Sequence, residues 1–171
     1  MAADLAVALS LECGVQPIIA EYIGKAMVLH DIGKCKIPDS IKNKQGKLSP
    51  SEYEIMKTHT THGADMLSGI RGEFGEIARN ISLYHHEQYN GEGYWRRRTN
   101  DLPNYIQISS ICDVYCALIY KRVYKQAWPV NEALGYIKDR AGEKFCPKLV
   151  KVFLSLMSRQ NFTADEGSCA I

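Results

Sequence analysis

The chain has 171 residues, enough for one domain with a sizeable core. Its formal charge of +2 is too small for bulk binding of polymeric nucleic acid, so an anionic ligand would need a local basic cluster. No apolar run approaches the roughly 18–20 residues of a membrane span, and the N-terminal segment is unlike a signal peptide. Six cysteines without a CxxC pair indicate reduced thiols in a cytoplasmic protein, not a zinc finger.

The hydrophobic pattern predicts helices along the whole chain, because apolar residues recur at spacings of three and four. Ser49, Pro50 and Glu52 supply a cap, a first-turn proline and a capping-box acid, so a helix is expected from there to about Leu67. Further helices are predicted at about 2–12, 16–31, 72–87, 104–125, 130–140 and 147–159, with a basic exposed loop at 33–48 and a glycine-rich loop at 90–101. We therefore expect an all-α bundle of about seven helices, in one domain over 1–171.

Residues of the kind that bind metals interrupt these apolar helices. An HD pair ends the apolar segment before Gly33, and one histidine lies on the capped helix. An HH pair ends the next helix, and an aspartate lies inside the apolar stretch ISSICDVYCALIY. A charged group in such a place costs several kcal/mol unless a partner or a cation compensates it. The six residues are His30, Asp31, His59, His85, His86 and Asp113.

Imidazole and carboxylate ligands together favour iron, manganese, zinc or nickel over calcium or magnesium alone. Six ligands are too many for one tetrahedral zinc, but they suit two cations bridged by a carboxylate and a hydroxide. Each motif also has a plainer interpretation when it is taken singly. Asp113 could form an ion pair with a lysine or arginine, and His62 is expected to be a surface histidine and not a ligand. The joint pattern favours the metal site.

In this order and spacing, the motifs resemble those of HD-GYP phosphodiesterases, a branch of the HD hydrolase superfamily. The segment LHDIGKCKIPDSIKNKQGKLSPSEYEIMKTHTTHGADML resembles the first half of that domain. HHEQYNGEGYW resembles its HHExxxGxGYP segment, and ICDVYCALIYKRVYKQAW resembles the helix that closes the site. The similarity runs from about Leu29 to about Val152. It implies an HD-domain helical bundle that hydrolyses a cyclic dinucleotide.

The resemblance also implies roles for individual residues. The six residues above are the metal-ligand positions, with Asp31 the expected bridge between two divalent cations and a catalytic residue. Lys34 is the second catalytic residue, which would stabilise or protonate the leaving oxygen. The implied substrate-binding positions are Arg122, Lys125, Gly93 and Tyr94. Without the resemblance, the basic pair among them would be interpreted as an ordinary solvated helix end.

Three departures from the family pattern bear on these expectations. Trp95 stands where the family has a proline, which alters the expected shape of the loop. Cys116 replaces an aspartate, so a contact next to the ligands is expected to be lost. No histidine precedes the HD pair in this sequence, so we expect a fragment of a longer regulatory protein, in which one metal is held weakly.

The resulting hypothesis is hydrolysis of a cyclic dinucleotide to a linear dinucleotide or mononucleotides. Cyclic di-GMP is the expected substrate, and 3′,3′-cyclic GMP–AMP is the alternative. The expected partners are an upstream sensor or receiver domain and GGDEF-type proteins. A degenerate signalling module, which binds nucleotides or proteins without turnover, is the competing hypothesis. A nonspecific nuclease would need a broader basic surface than a charge of +2 provides.

Overall fold

The computed structural model describes residues 1–98, 101–120 and 127–159 of the chain. Within these ranges it contains nine α-helices, a 3-10 helix at Ile32–Lys36 between the second and third of them, and no β-strand. The all-α prediction is therefore confirmed. The helices are α1 (Ala2–Glu12), α2 (Pro17–Leu29), α3 (Asp39–Lys42), α4 (Pro50–Lys57), α5 (His59–Met66), α6 (Gly72–Tyr84), α7 (Asn104–Ile119), α8 (Val130–Asp139) and α9 (Pro147–Arg159).

The predicted helix at 50–67 is divided in two at Thr58. The backbone N–H of Thr58 turns back to the Ile55 carbonyl, and its hydroxyl donates to the same oxygen at 2.7 Å. A threonine hydroxyl that binds a backbone carbonyl competes with the regular helical hydrogen bond. The expectation of one continuous helix was wrong here. As a result, His59 is the first residue of a new helix, α5, and does not lie inside a longer helix.

The segment 33–48 is also more ordered than the predicted exposed loop. It contains the 3-10 helix and the short helix α3, and the side chains of Ile37 and Ile41 are buried. Burial of two isoleucines fixes a segment whose lysines remain on the surface. At its end, the capping box is confirmed, because Ser49 Oγ accepts from the Glu52 N–H at 3.2 Å and Glu52 Oε2 accepts from the Ser49 N–H at 2.6 Å.

Helix α7 runs through the core of the bundle. Eleven of its sixteen residues are buried, and α1, α6 and α8 pack against it. Helix α2 packs against α1 and α6, and α5 packs against α6 and the 3-10 helix. This arrangement brings the ends of α2 and α6, the start of α5 and the middle of α7 to one place. Among the described residues, no helix is long and apolar enough to cross a membrane.

Candidate metal centre

Each of the six predicted ligand residues lies where one of these four helices reaches the common meeting point. The HD pair directly follows α2, one histidine is the first residue of α5, and the HH pair directly follows α6. The second aspartate lies in α7, on the side that opens into a cleft. Helix ends bring side chains together from segments far apart in sequence. The residues are His30, Asp31, His59, His85, His86 and Asp113.

The Asp31 carboxylate lies at the centre of this group. Its Oδ1 is 3.2 Å from His59 Nε2 and 3.7 Å from His85 Nε2. Its Oδ2 is 3.3 Å from His30 Nε2, and that same nitrogen is 3.5 Å from Asp113 Oδ1. The two oxygens of Asp31 thus face different candidate ligands, His59 and His85 on one side and His30 on the other.

His86 completes the set on the Oδ1 side. Asp31, His59, His85 and His86 each offer one ligand atom, and these four atoms all lie within 4.8 Å of one another. The His85 and His86 rings are 4.1 Å apart, and the His59 and His86 rings are 5.3 Å apart. Four donors at this spacing can surround a single cation. His62, on the same helix as His59, is not among them, and its side chain is half-buried.

Backbone carbonyls fix the tautomers of three of these histidines. Nδ1 of His30 lies 2.6 Å from the Met27 carbonyl, and Nδ1 of His59 lies 2.7 Å from the Met56 carbonyl. Nδ1 of His85 lies 3.0 Å from the Ile81 carbonyl. A carbonyl oxygen only accepts, so each Nδ1 carries the proton and, in the neutral ring, each Nε2 keeps its lone pair. This is how histidine ligands are commonly oriented toward a metal.

The converging lone pairs fit a bound cation. His59 Nε2 and His85 Nε2 are 3.5 Å apart, and two acceptors cannot satisfy each other. Within the described residues, the buried atoms His30 Nε2 and Asp31 Oδ1 have no hydrogen-bond partner. Buried polar atoms without a partner are costly, and bound divalent cations would satisfy them. The nitrogen and carboxylate donors suit a transition metal.

The electrostatics of the cluster also favour positive charge. Burial lowers the pKa of His30, but the nearby carboxylates of Asp113 and Asp31 outweigh it and raise this pKa to about 10. Burial raises the pKa of Asp31, yet the contacts with His30 and His59 dominate and hold it far below its usual range. Burial lowers the pKa of His86 to about 4 and that of His85 well below 6.5, so both rings are neutral and able to bind a metal near neutral pH.

The cluster opens into a cleft of about 340 Å³. Lys34 lies in this cleft and donates a hydrogen bond to Asp31 Oδ2. The predicted catalytic lysine therefore contacts the carboxylate that lies between the two ligand sets. The cleft is lined by Asp31, Lys34, His86, Asp113, Val114, Ala117, Leu118, Tyr136 and Lys144.

Gly93 and Tyr94 cover the histidine side of the centre. The Tyr94 ring lies 4.4 Å from the His86 ring and 5.7 Å from that of Tyr53. A Cβ on Gly93 would come within 2.5 Å of the Glu87 Cα, so only glycine allows the loop to approach the HH segment this closely. Burial raises the pKa of the Tyr94 phenol, which therefore stays protonated. Contact of this pair with substrate remains a prediction.

Glu87 is a residue that the sequence reasoning missed. Its side chain is buried, and its carboxylate accepts the backbone N–H groups of Trp95 at 2.6 Å and Arg97 at 2.7 Å. Trp95 Nε1 also donates to Thr60 Oγ1 at 3.1 Å. The loop that carries Trp95 in place of proline is thus held closed over the centre. The signal in the sequence was the acidic residue that directly follows the HH pair.

Three further residues that the sequence analysis singled out are not part of the cluster as the structure describes it. Cys116, which replaces the family's aspartate, is buried in α7 with 8% of its surface exposed. The predicted phosphate-binding residues Arg122 and Lys125 lie outside the described residues. The prediction of one continuous helix to about 125 was wrong, because α7 ends at Ile119 and the backbone of Tyr120 is extended. Their role remains a prediction from the resemblance.

The fold and the site together define a helical domain with an HD pair at the centre of a His/Asp cluster that could hold a metal ion. Residues 2–149 match the model of the HD domain family, and the chain belongs to this family. A Thermotoga maritima protein named cyclic di-GMP phosphodiesterase is 38% identical over 146 residues, which cover 85% of this chain and 40% of that protein. The 3′3′-cGAMP-specific phosphodiesterase 2 of Vibrio cholerae is 38% identical over 136 residues, which cover 79% of this chain and 26% of that protein.

A solved structure supports the same fold. Bd1817, described as an HDG"Y"P protein from Bdellovibrio bacteriovorus, superposes with a TM-score of 0.72 at 20% identity over 92% of this chain and 50% of that one. The predicted membership of the HD family and the predicted HD-type helical fold are thereby confirmed. The chain spans about 40% or less of the length of these curated relatives.

Proposed function

We propose that this chain is a metal-dependent phosphodiesterase that hydrolyses a 3′–5′ phosphodiester bond in a cyclic dinucleotide. The observation that carries the proposal is the Asp31 carboxylate, with its two oxygens 3.2 Å and 3.3 Å from the Nε2 atoms of His59 and His30. A carboxylate between two sets of ligands suits a pair of divalent cations, and a pair of cations suits displacement at phosphorus. Iron or manganese is the proposed metal, with zinc and nickel as alternatives.

The cations, when bound, would supply the Lewis-acid charge that favours attack of water on phosphorus. The remaining steps belong to side chains of this chain. The backbone carbonyls at Met27 and Met56 orient the histidine rings, so little reorganisation is needed when substrate arrives. Lys34 places an ammonium group in the cleft, where it can stabilise the leaving oxygen or give it a proton.

Cyclic di-GMP is the proposed substrate, and 3′,3′-cyclic GMP–AMP is the alternative. The names of two relatives of equal identity, 38% in each case, point to one substrate each. The cleft of about 340 Å³ falls within the usual size of a small-molecule site. A regulatory domain and GGDEF-type proteins remain the predicted partners.

The test is turnover of both cyclic dinucleotides by the manganese- or iron-loaded protein, followed by chromatography of the products. His59→Ala should abolish turnover. His62→Ala is the matched control, because it removes a histidine three positions further along α5 that is outside the cluster. We expect wild-type activity from this control. A metal-loaded wild-type protein that binds the dinucleotide but never cleaves it would contradict the proposal and favour a signalling module without turnover.

A further inference from the structure

A second lysine opens into the same cleft as the metal cluster. Lys144 and Tyr136 line the cleft together with Asp31 and Asp113, and neither of them belongs to the HD or the HH motif. Along the α7 wall the cleft is lined by Asp113, then Val114, Ala117 and Leu118. Asp113 and Leu118 are five positions apart, a rise of about 7.5 Å along the helix, so the wall is long enough to contact a ligand well beyond its reacting atoms.

The backbone around Lys144 is tied to the segment that carries the histidines. The Tyr89 N–H donates to the Lys144 carbonyl at 2.9 Å, and the Asn90 N–H donates to the Glu143 carbonyl at 2.9 Å. On the following side, Phe145 is fully buried. A residue held from both sides projects its side chain in a defined direction, which a substrate contact requires.

The Lys144 ammonium has no acidic partner among the described residues. Its Nζ lies 3.4 Å from the Tyr136 hydroxyl and 6.0 Å from the centre of that ring. Lys34, by comparison, is already paired with Asp31. A partly buried ammonium without an acidic partner, in a cleft of this size, is suited to bind an anion such as phosphate.

We infer that Lys144 binds the phosphate that is not cut in the cyclic dinucleotide, and that Tyr136 positions the Lys144 ammonium. The inference rests on the proposed function and adds a substrate contact to it. A cyclic dinucleotide carries two phosphates in one ring, so when one phosphate faces the metal cluster the other faces a different part of the cleft. The apolar side chains of Val114 and Leu118 lie on the α7 wall, where they can contact a sugar or base.

The experiment compares two substrates on three variants of the metal-loaded protein. Cyclic di-GMP has a second phosphate, whereas bis(p-nitrophenyl) phosphate has only the one that is cut. For Lys144→Ala, we expect the KM for cyclic di-GMP to rise about 10- to 100-fold with kcat and metal content retained. The kcat/KM for bis(p-nitrophenyl) phosphate should not change. Tyr136→Phe should raise the same KM about 2- to 10-fold. Lys148→Ala, at an exposed lysine outside the cleft, is the matched control and should match wild type.

Equilibrium binding of a phosphorothioate analogue of cyclic di-GMP decides the inference even if turnover is absent. Weaker binding by Lys144→Ala than by wild type supports it, while the lack of turnover would overturn only the proposed activity. Equal binding by the two proteins overturns the inference. An equal loss of kcat/KM for both substrates also overturns it, because Lys144 would then act on the scissile phosphate or on folding. If wild type neither cleaves cyclic di-GMP nor binds the analogue, both the activity and the inference fail.

Discussion

Asp31 Oδ1 lies 3.2 Å from Nε2 of His59, a residue 28 positions away in the sequence, and the tautomer of His59 leaves a lone pair on that nitrogen. A carboxylate oxygen and an imidazole lone pair repel each other unless a proton or a cation lies between them. The same relationship recurs on the other oxygen, toward His30.

Asp31→Asn should abolish binding of the proposed pair of cations, because the neutral amide offers a single weak ligand oxygen in place of the charged carboxylate. Elemental analysis of the purified protein should fall from about two metals per chain to about none. Asp113→Asn is the informative comparison, since Asp113 contacts only the His30 side of the cluster. It should leave about one metal. Wild-type metal content in Asp31→Asn would show that this carboxylate does not bridge.

Lys34→Met should keep the metals and lose activity. The Lys34 ammonium donates a hydrogen bond to Asp31 Oδ2, so it competes with a metal for this carboxylate. Because Lys34 is not a metal ligand, its removal should not weaken metal binding. We expect kcat to fall about 100-fold or more, the usual scale for a lost acid or electrostatic group. Parallel measurement of metal content and single-turnover rate checks this. Metal loss equal to that of Asp31→Asn would contradict the assignment.

Glu87→Gln should destabilise the protein by about 1–3 kcal/mol, because an amide cannot accept from both the Trp95 and Arg97 N–H groups with two oxygens. Urea unfolding measures the loss, and hydrogen exchange at residues 93–97 should accelerate. Glu92→Gln, in the same loop but exposed, is the control and should stay within about 0.5 kcal/mol of wild type. Similar values for the two variants would show that the buried carboxylate does not hold the loop.

Gly33→Ala should separate the HD segment from α5. A Cβ at this position would lie 1.9 Å from the His59 carbonyl oxygen and 2.4 Å from the Gly63 nitrogen, and neither backbone atom can move aside as a side chain can. We expect a loss of about 1–3 kcal/mol or more, together with weaker metal binding. Gly69→Ala, where a Cβ meets nothing within 4 Å, should be close to neutral. Calorimetry of both variants, with and without metal, measures the loss of stability and the loss of metal binding. Equal melting temperatures for Gly33→Ala and Gly69→Ala would contradict the prediction.

The pH dependence of the metal-free protein should reflect His30. Its folded pKa of about 10 lies above the ordinary value of 6.5, so its contribution to stability is complete below about pH 6.5 and is lost as the pH rises through about 10. After chelation, the melting temperature should therefore fall over this interval. The His30→Gln variant should lack this component. Metal binding near pH 8 should release a proton, measurable by titration calorimetry in two buffers. An unchanged pH profile in the variant would contradict the assignment to His30.

Much of the site could be predicted from local sequence. The HD and HH pairs are adjacent residues, and the capping box acts over three positions, so their chemistry can be inferred without knowledge of what packs against them. The resemblance added the prediction that Asp31 bridges two cations. Hydrophobic spacing predicted most helix positions because a bundle of this size buries one face of each helix.

The remaining features depend on contacts between distant segments. The break at Thr58 moves His59 to the start of a helix, and local propensity did not predict it. Glu87 acts only because the loop folds back to place two N–H groups on its carboxylate. Lys144 enters the cleft because residues 89 and 90 bind the backbone at 143–144, a pairing across more than 50 positions. The sequence by itself determined which ligands are available, whereas tertiary packing decided which side chains share the cleft, because only packing sets distances between residues far apart in the chain.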